Sequence, residues 1–191
     1  ARALKSFRAQ RQDPVPTQAP EPTPVCIGLV IDATASRERT WEKAQQVQLR
    51  MFESIEKLSA LKLRLVHFGG YALTDHDLQD DPNALARQMA AVRCRSGLTQ
   101  FIPALRGFTE GQPRAQAIIL IGDAFEEDAE TAATIAQILK TQGTKQFCFL
   151  EGNSAVAAES FAMLANLTGG RFARLGDELP LADLCEGVAL L

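Results

Sequence analysis

From Val25 to Ile31 the chain reads Val-Cys-Ile-Gly-Leu-Val-Ile, an apolar run with no alternation, and then stops at an acid. A strand with no polar face is one covered on both sides, as in parallel sheets flanked by helices. Asp32 ends the run, and Thr34 and Ser36 follow at every second position before a helical pattern begins. Such a strand sets a carboxylate and two hydroxyls at the carboxyl edge of a sheet, where open α/β folds place their ligands. The donors are all oxygen, and hard cations such as Mg²⁺ prefer oxygen.

The remaining pattern alternates strand and helix. Trp41, Ala44, Gln48, Met51, Phe52, Ile55 and Leu58 recur at threes and fours, the stripe of a long amphipathic helix. Leu61, Leu63 and Leu65 alternate with Lys62 and Arg64, a strand with one more exposed face, nearer a sheet edge. Gly69-Gly70 allows a turn into a short return strand at Tyr71 to Leu73. Asp81-Pro82 opens a helix to about Val92, and another is expected from about Phe101 to Phe108. Ala117 to Asp123 is a second apolar strand ending in an acid, followed by a helix expected from Ala124 to Thr141. Gln146 to Leu150 is a third buried strand, ending at Glu151. Ser154 to Leu167 reads as helix, Arg171 to Leu175 as a last strand and Leu179 to Val188 as a closing helix. This order implies an α/β fold with a doubly wound, mainly parallel central sheet flanked by helices, carrying one short antiparallel edge strand.

Composition sets the outer limits. A chain of 191 residues suits one such domain with a tail, and a domain of this size buries roughly 70% of its unfolded surface. Residues 1 to 24 are a basic, then proline-rich arm or linker, so the domain is expected at 25–191. A net charge of −3 gives no support to a nucleic-acid partner, and no apolar run is long enough to span a bilayer. Cys26, Cys94, Cys148 and Cys185 form no metal-binding or C-x-x-C spacing, which points to a reducing, cytoplasmic setting.

Asp32, Thr34 and Ser36, Thr99 after Gly97-Leu98, and the strand-ending Asp123 are expected at one sheet edge. Two carboxylates that close repel unless a cation or proton intervenes. The D-A-T-A-S run, the G-L-T of Gly97 to Thr99, Asp123 and the T-G-G-R-F of Thr168 to Phe172 together resemble a von Willebrand factor A (VWA) domain of the intracellular bacterial type. The resemblance covers about residues 25 to 188 and implies a metal-ion-dependent adhesion site (MIDAS). Carried over by position, the metal ligands are Asp32, Thr34, Ser36, Thr99 and Asp123, holding Mg²⁺, with Mn²⁺ and Ca²⁺ as alternatives. Two positions depart from the family pattern. Thr34 replaces its middle serine but keeps the hydroxyl, and Gly122-Asp123-Ala124 stands where Thr-Asp-Gly is usual. The acids Glu126, Glu127 and Asp128 then either occupy the open metal position or form a solvated first helical turn, favoured by the macrodipole.

The resemblance implies a non-enzymatic protein-interaction module whose partner offers an Asp or Glu to complete the ion's coordination. A haloacid-dehalogenase-like phosphohydrolase is the enzymatic alternative. It wants a second acid where this chain has Thr34, and without a general acid such chemistry loses a factor of about 10²–10⁴. A metal-free VWA scaffold is the third reading. The bland alternative for Asp32 and Ser36 is capping of the following helix. His67 and Trp41 read as packed residues, and Glu151 lies beside the turn chemistry of Gly152-Asn153.

Overall fold

A computed structural model of the chain describes residues 24–42, 45–46, 61–111 and 113–175. The arm before residue 24, most of the helix expected after Trp41, the closing helix at 179–188 and Cys185 lie outside the described residues. Strand β1, Val25–Asp32, is buried from Cys26 onwards. Its want of alternation has a direct cause. Cys26 and Val30 enter one apolar cluster, while Ile27, Leu29 and Ile31 enter another on the opposite face.

The other strands are β2 (Leu61–Gly69), β3 (Ala72–Asp75), β4 (Ala117–Gly122), β5 (Lys145–Glu151) and β6 (Arg171–Leu175). Their spatial order is β3-β2-β1-β4-β5-β6, parallel throughout except for β3, which returns antiparallel to β2. Chain order reverses direction between β1 and β4, so a crevice opens outside the carboxyl ends of those two strands. Helix α1 (Pro82–Ala91) sends Leu85 and Met89 to one face, joined there by Trp41. Helices α2 (Phe101–Glu110), α3 (Ala129–Thr141) and α4 (Ala155–Thr168) cover the other with residues including Leu105, Ile135 and Phe161. None of the described helices is long and apolar enough to cross a membrane.

Local chemistry explains the boundaries. Asp81 caps α1 by accepting from the Asn83 amide at 2.9 Å, with Pro82 in the first turn. Helix α4 ends on Gly169, whose φ of 72° is left-handed. The loop between β2 and β3 has positive φ at both central residues, Gly70 (64°) and Tyr71 (62°). That is the type I′ form, matched to strand twist but unusual for tyrosine.

One expectation needs correction. The helix predicted from Ala124 begins at Ala129, after Asp128, whose carboxylate accepts from the Thr131 amide at 2.7 Å. Residues 123–128 form a loop because Phe125 is drawn into an aromatic cluster. It stacks on Phe101 at 5.7 Å, and Phe101 meets Phe68 and Phe161 edge-on. Glu126 and Glu127 are therefore not a solvated first turn.

Gly28 shows how closely α2 lies on β1, because a Cβ at that position would overlap the Phe108 ring. Gly28→Ala is therefore expected to destabilise the domain by about 1–3 kcal/mol through overpacking, read as a lower urea midpoint with an unchanged slope. An unaltered midpoint would show that α2 can move off the sheet freely.

Candidate functional site

Parallel pairing of β1 with β4 runs in register from Ile27 opposite Ala117 to Ile31 opposite Ile121, which brings Asp32 and Asp123 out at the same edge. Asp32 is fully buried, with no exposed surface. One carboxylate oxygen, Oδ1, accepts from the Thr34 amide at 2.8 Å, while Oδ2 has no hydrogen-bond partner. Gly122 lies against it. A Cβ there would stand 2.7 Å from Phe101 Cζ, 3.1 Å from the Asp32 Cβ and 3.3 Å from Oδ2, so glycine lets β4 run close to both the carboxylate and the ring. Asp123 likewise has a buried oxygen, Oδ1, without a partner.

The next loop supplies hydroxyls. Thr34 precedes a 3-10 turn, Ala35–Arg37, but its side chain makes no capping bond; its Oγ1 lies 3.1 Å from Ser36 Oγ. Thr34 therefore does not cap this turn. The loop after α1 is laced to this segment, with the Arg95 amide donating to the Ala33 carbonyl at 2.9 Å and Thr34 bridging to Arg95. That loop ends at Thr99, which is buried. The Thr99 Oγ1 accepts from the Glu126 amide at 3.0 Å, and the Thr99 amide donates to Glu126 Oε2 at 3.1 Å. One lone pair of the hydroxyl is left over.

The five expected residues thus lie at one end of the sheet, Asp32 on the last position of β1 and the others in three loops, joined by contacts in two groups. Asp32, Thr34 and Ser36 form one, and Thr99 with the 123–128 loop forms the other. Among the described residues no group of three or more His, Cys, Asp or Glu is placed to hold an ion, so this set consists of two carboxylates with hydroxyls.

Burial pushes the Asp32 carboxyl up to about 6, helped by the negative charge of Asp123 and opposed by Thr34 and Arg37. Burial likewise raises the Cys94 thiol to about 11, which keeps it protonated and unreactive. Cys26, Cys94 and Cys148 are free thiols.

Arg37 is the residue that pattern reading missed. Only 1% exposed, it donates from Nε to Glu151 Oε2 at 2.8 Å and from Nη1 to the Asp32 carbonyl, and its guanidinium lies over the Trp41 ring. The acid ending β5 was the available signal, since a buried cation needs such a partner. Trp41 packs, as expected. His67 is half-buried and stacked on His76, their ring nitrogens 3.2 Å apart; burial and His76 push it down to about 4.

No family model and no curated protein matches the sequence. Solved structures match in shape. The vWF domain of the type V pili tip protein Mfa5 from Porphyromonas gingivalis superposes with a TM-score of 0.70 at 12% identity, over 87% of this chain and 95% of that one. The SpRpn10 VWA domain gives 0.64 at 15% identity, over 85% and 94%. Proximal thread matrix protein 1 of the mussel byssus, solved with zinc in its MIDAS motif, gives 0.68 at 17% identity, over 85% of this chain and 45% of that one. The fold is that of a VWA domain. At such low identities the likeness carries the fold and nothing finer.

Within this VWA fold, Asp32 makes a sharp prediction. Its raised pKa means the metal-free folded state holds a proton that the unfolded chain releases between about pH 4 and 6, so the group's contribution to stability falls as pH rises through that window. Asp32→Asn keeps the Thr34 bond and removes the charge. It should stabilise the metal-free domain at pH 7.5 by an amount on the order of 2 kcal/mol, measured by urea unfolding in EDTA. If Asp32 were a stabilising cap, the same variant would lower stability.

Proposed function

We propose that this VWA domain is a metal-ion-dependent protein-interaction module, in which Asp32, Thr34, Ser36, Thr99 and Asp123 hold a divalent cation and a protein partner's Asp or Glu completes its coordination. The observation that carries this reading is the pair of buried, partnerless carboxylate oxygens, Asp32 Oδ2 and Asp123 Oδ1, at adjacent strand ends. A buried carboxylate without compensation costs several kcal/mol, and two together also repel. A dication would answer both demands. Glycine at position 122 keeps a Cβ away from the first oxygen, and the hydroxyls of Thr34, Ser36 and Thr99 add neutral, hard donors. This donor set suits Mg²⁺, with Mn²⁺, Ca²⁺ and zinc as alternatives; zinc is the ion in the mussel protein's MIDAS. The ion would supply a positive charge with open positions, attractive to a carboxylate.

Specificity would come from the rim. The Gly97 backbone packs on the Gly70 and Tyr71 amides, which brings Leu98 beside the hairpin tip. Leu98 is 59% exposed and Tyr71 75% exposed. We place an apolar side chain of the partner there, next to its carboxylate. The hydrolase reading has no comparable support, because position 34 is a threonine whose hydroxyl faces Ser36. The free thiols accord with a cytoplasmic setting.

Thermal unfolding with Mg²⁺ or Mn²⁺ at about 100 times its dissociation constant should show a stabilisation of about 2.7 kcal/mol. Asp32→Ala should abolish it, and partner capture from a native extract should disappear with EDTA. Melting curves indifferent to either ion would sink the proposal in favour of a metal-free scaffold. Hydrolysis of a generic phosphate ester, lost in Asp32→Asn, would favour the hydrolase instead.

A further inference from the structure

Helix α2 begins without a cap of its own. Gln100 precedes it with φ −137° and ψ 43°, and its side chain makes no capping bond. The amides of the first turn are satisfied from elsewhere in the chain. Glu127 accepts from the Phe101 amide through Oε2 at 2.6 Å and from the Ile102 amide through Oε1 at 2.7 Å. The third position, Pro103, has no N–H to satisfy. One carboxylate therefore provides the whole cap, with charge-assisted bonds at the positive end of the helix dipole.

Beside it, Glu126 and Thr99 exchange two bonds, amide to carboxylate and amide to hydroxyl. Four hydrogen bonds thus tie residues 99–102 to residues 126–127, and the Phe125 ring stacks on Phe101 beneath them. The first of these segments carries Thr99; the second continues back to Asp123. Both oxygens of Glu127 are used, so this carboxylate is turned to the helix and does not fill an open metal position.

We infer that Glu127 is a positioning residue: by capping α2 from the neighbouring loop it locks the Thr99 loop to the Asp123 loop, so that the two candidate ligands are held in one rigid unit. The metal-binding consequence rests on the function proposed above, whereas the locking of the loops is a property of the fold and is testable without metal. A side chain that merely stabilised α2 could be replaced by a cap supplied within the helix. One that sets the position of Thr99 could not.

The experiment compares wild type, Glu127→Ala, Glu127→Gln and the double variant Glu127→Ala with Gln100→Asp, which offers the Ile102 amide a local cap. Amide hydrogen exchange in EDTA is the first readout. Glu127→Ala should speed exchange about fivefold or more at Phe101 and Ile102 and also at Thr99 and Glu126. In the double variant Ile102 protection and the melting temperature should recover, while Thr99 and Glu126 stay fast. Mn²⁺ binding by calorimetry is the second readout. Affinity should fall about tenfold in both Glu127→Ala backgrounds and less in Glu127→Gln, which keeps one oxygen. Unchanged exchange at Thr99 and Glu126, or full recovery of exchange and affinity in the double variant, would overturn the inference. A wild type that binds no Mn²⁺ would count against the proposed function, and the exchange data would still decide whether the loops are locked.

Discussion

A carboxylate buried at the end of a strand must find compensation for its charge, and the carboxyl edge of this domain is organised by how little Asp32 finds. Its hydrogen bonds come from Thr34 alone, whose amide donates to Oδ1 at 2.8 Å. The nearby cation, Arg37, gives one bond to the Asp32 backbone carbonyl and another to Glu151, so it braces the chain without pairing with the Asp32 carboxylate. Asp123 adds charge of the same sign. The other donors at hand are hydroxyls, which solvate but do not neutralise. An arrangement of this kind stores an electrostatic cost in the folded state.

The sheet makes the arrangement possible. Parallel strands all point their carboxyl ends the same way, and the reversal of order between β1 and β4 keeps a helix from closing over the space between them. Small residues then decide what fits. Gly28 lets α2 settle on β1, and Gly122 keeps a Cβ out of the narrow space between Asp32 and the Phe101 ring. Arg37 and Glu151 link the end of β1 to the end of β5 across the intervening β4, so the edge is held laterally as well as by the ladder.

Much of this was legible in the residues. The unalternating run into Asp32, the matching run into Asp123 and the leucine alternation of β2 are consequences of burial on two faces or one, and burial pattern is what a sequence displays most directly. The return strand and the helix opened by Asp81-Pro82 follow from local turn and helix-start chemistry, and their expected bounds lie within a residue or two of those observed. Glu126 and Glu127 depart from the expected first turn because a carboxylate beside its own helix and one reaching to a distant segment look identical in sequence. Glu127 meets its amides 25 and 26 residues away. Arg37 was passed over for a similar reason. Nothing near it distinguishes a buried arginine from the exposed Arg39, and its partner comes from a strand 114 positions later.

The two outer strands carry a separate consequence. Strand β3 is four residues long and exposed along its length, and its Asp75 pairs with Arg64 of β2. On the far side β6 bears Arg171 and Arg174. Short, charged borders of this kind discourage another chain from extending the sheet by backbone pairing. Self-assembly into fibrils through these borders is thereby disfavoured by the strands themselves.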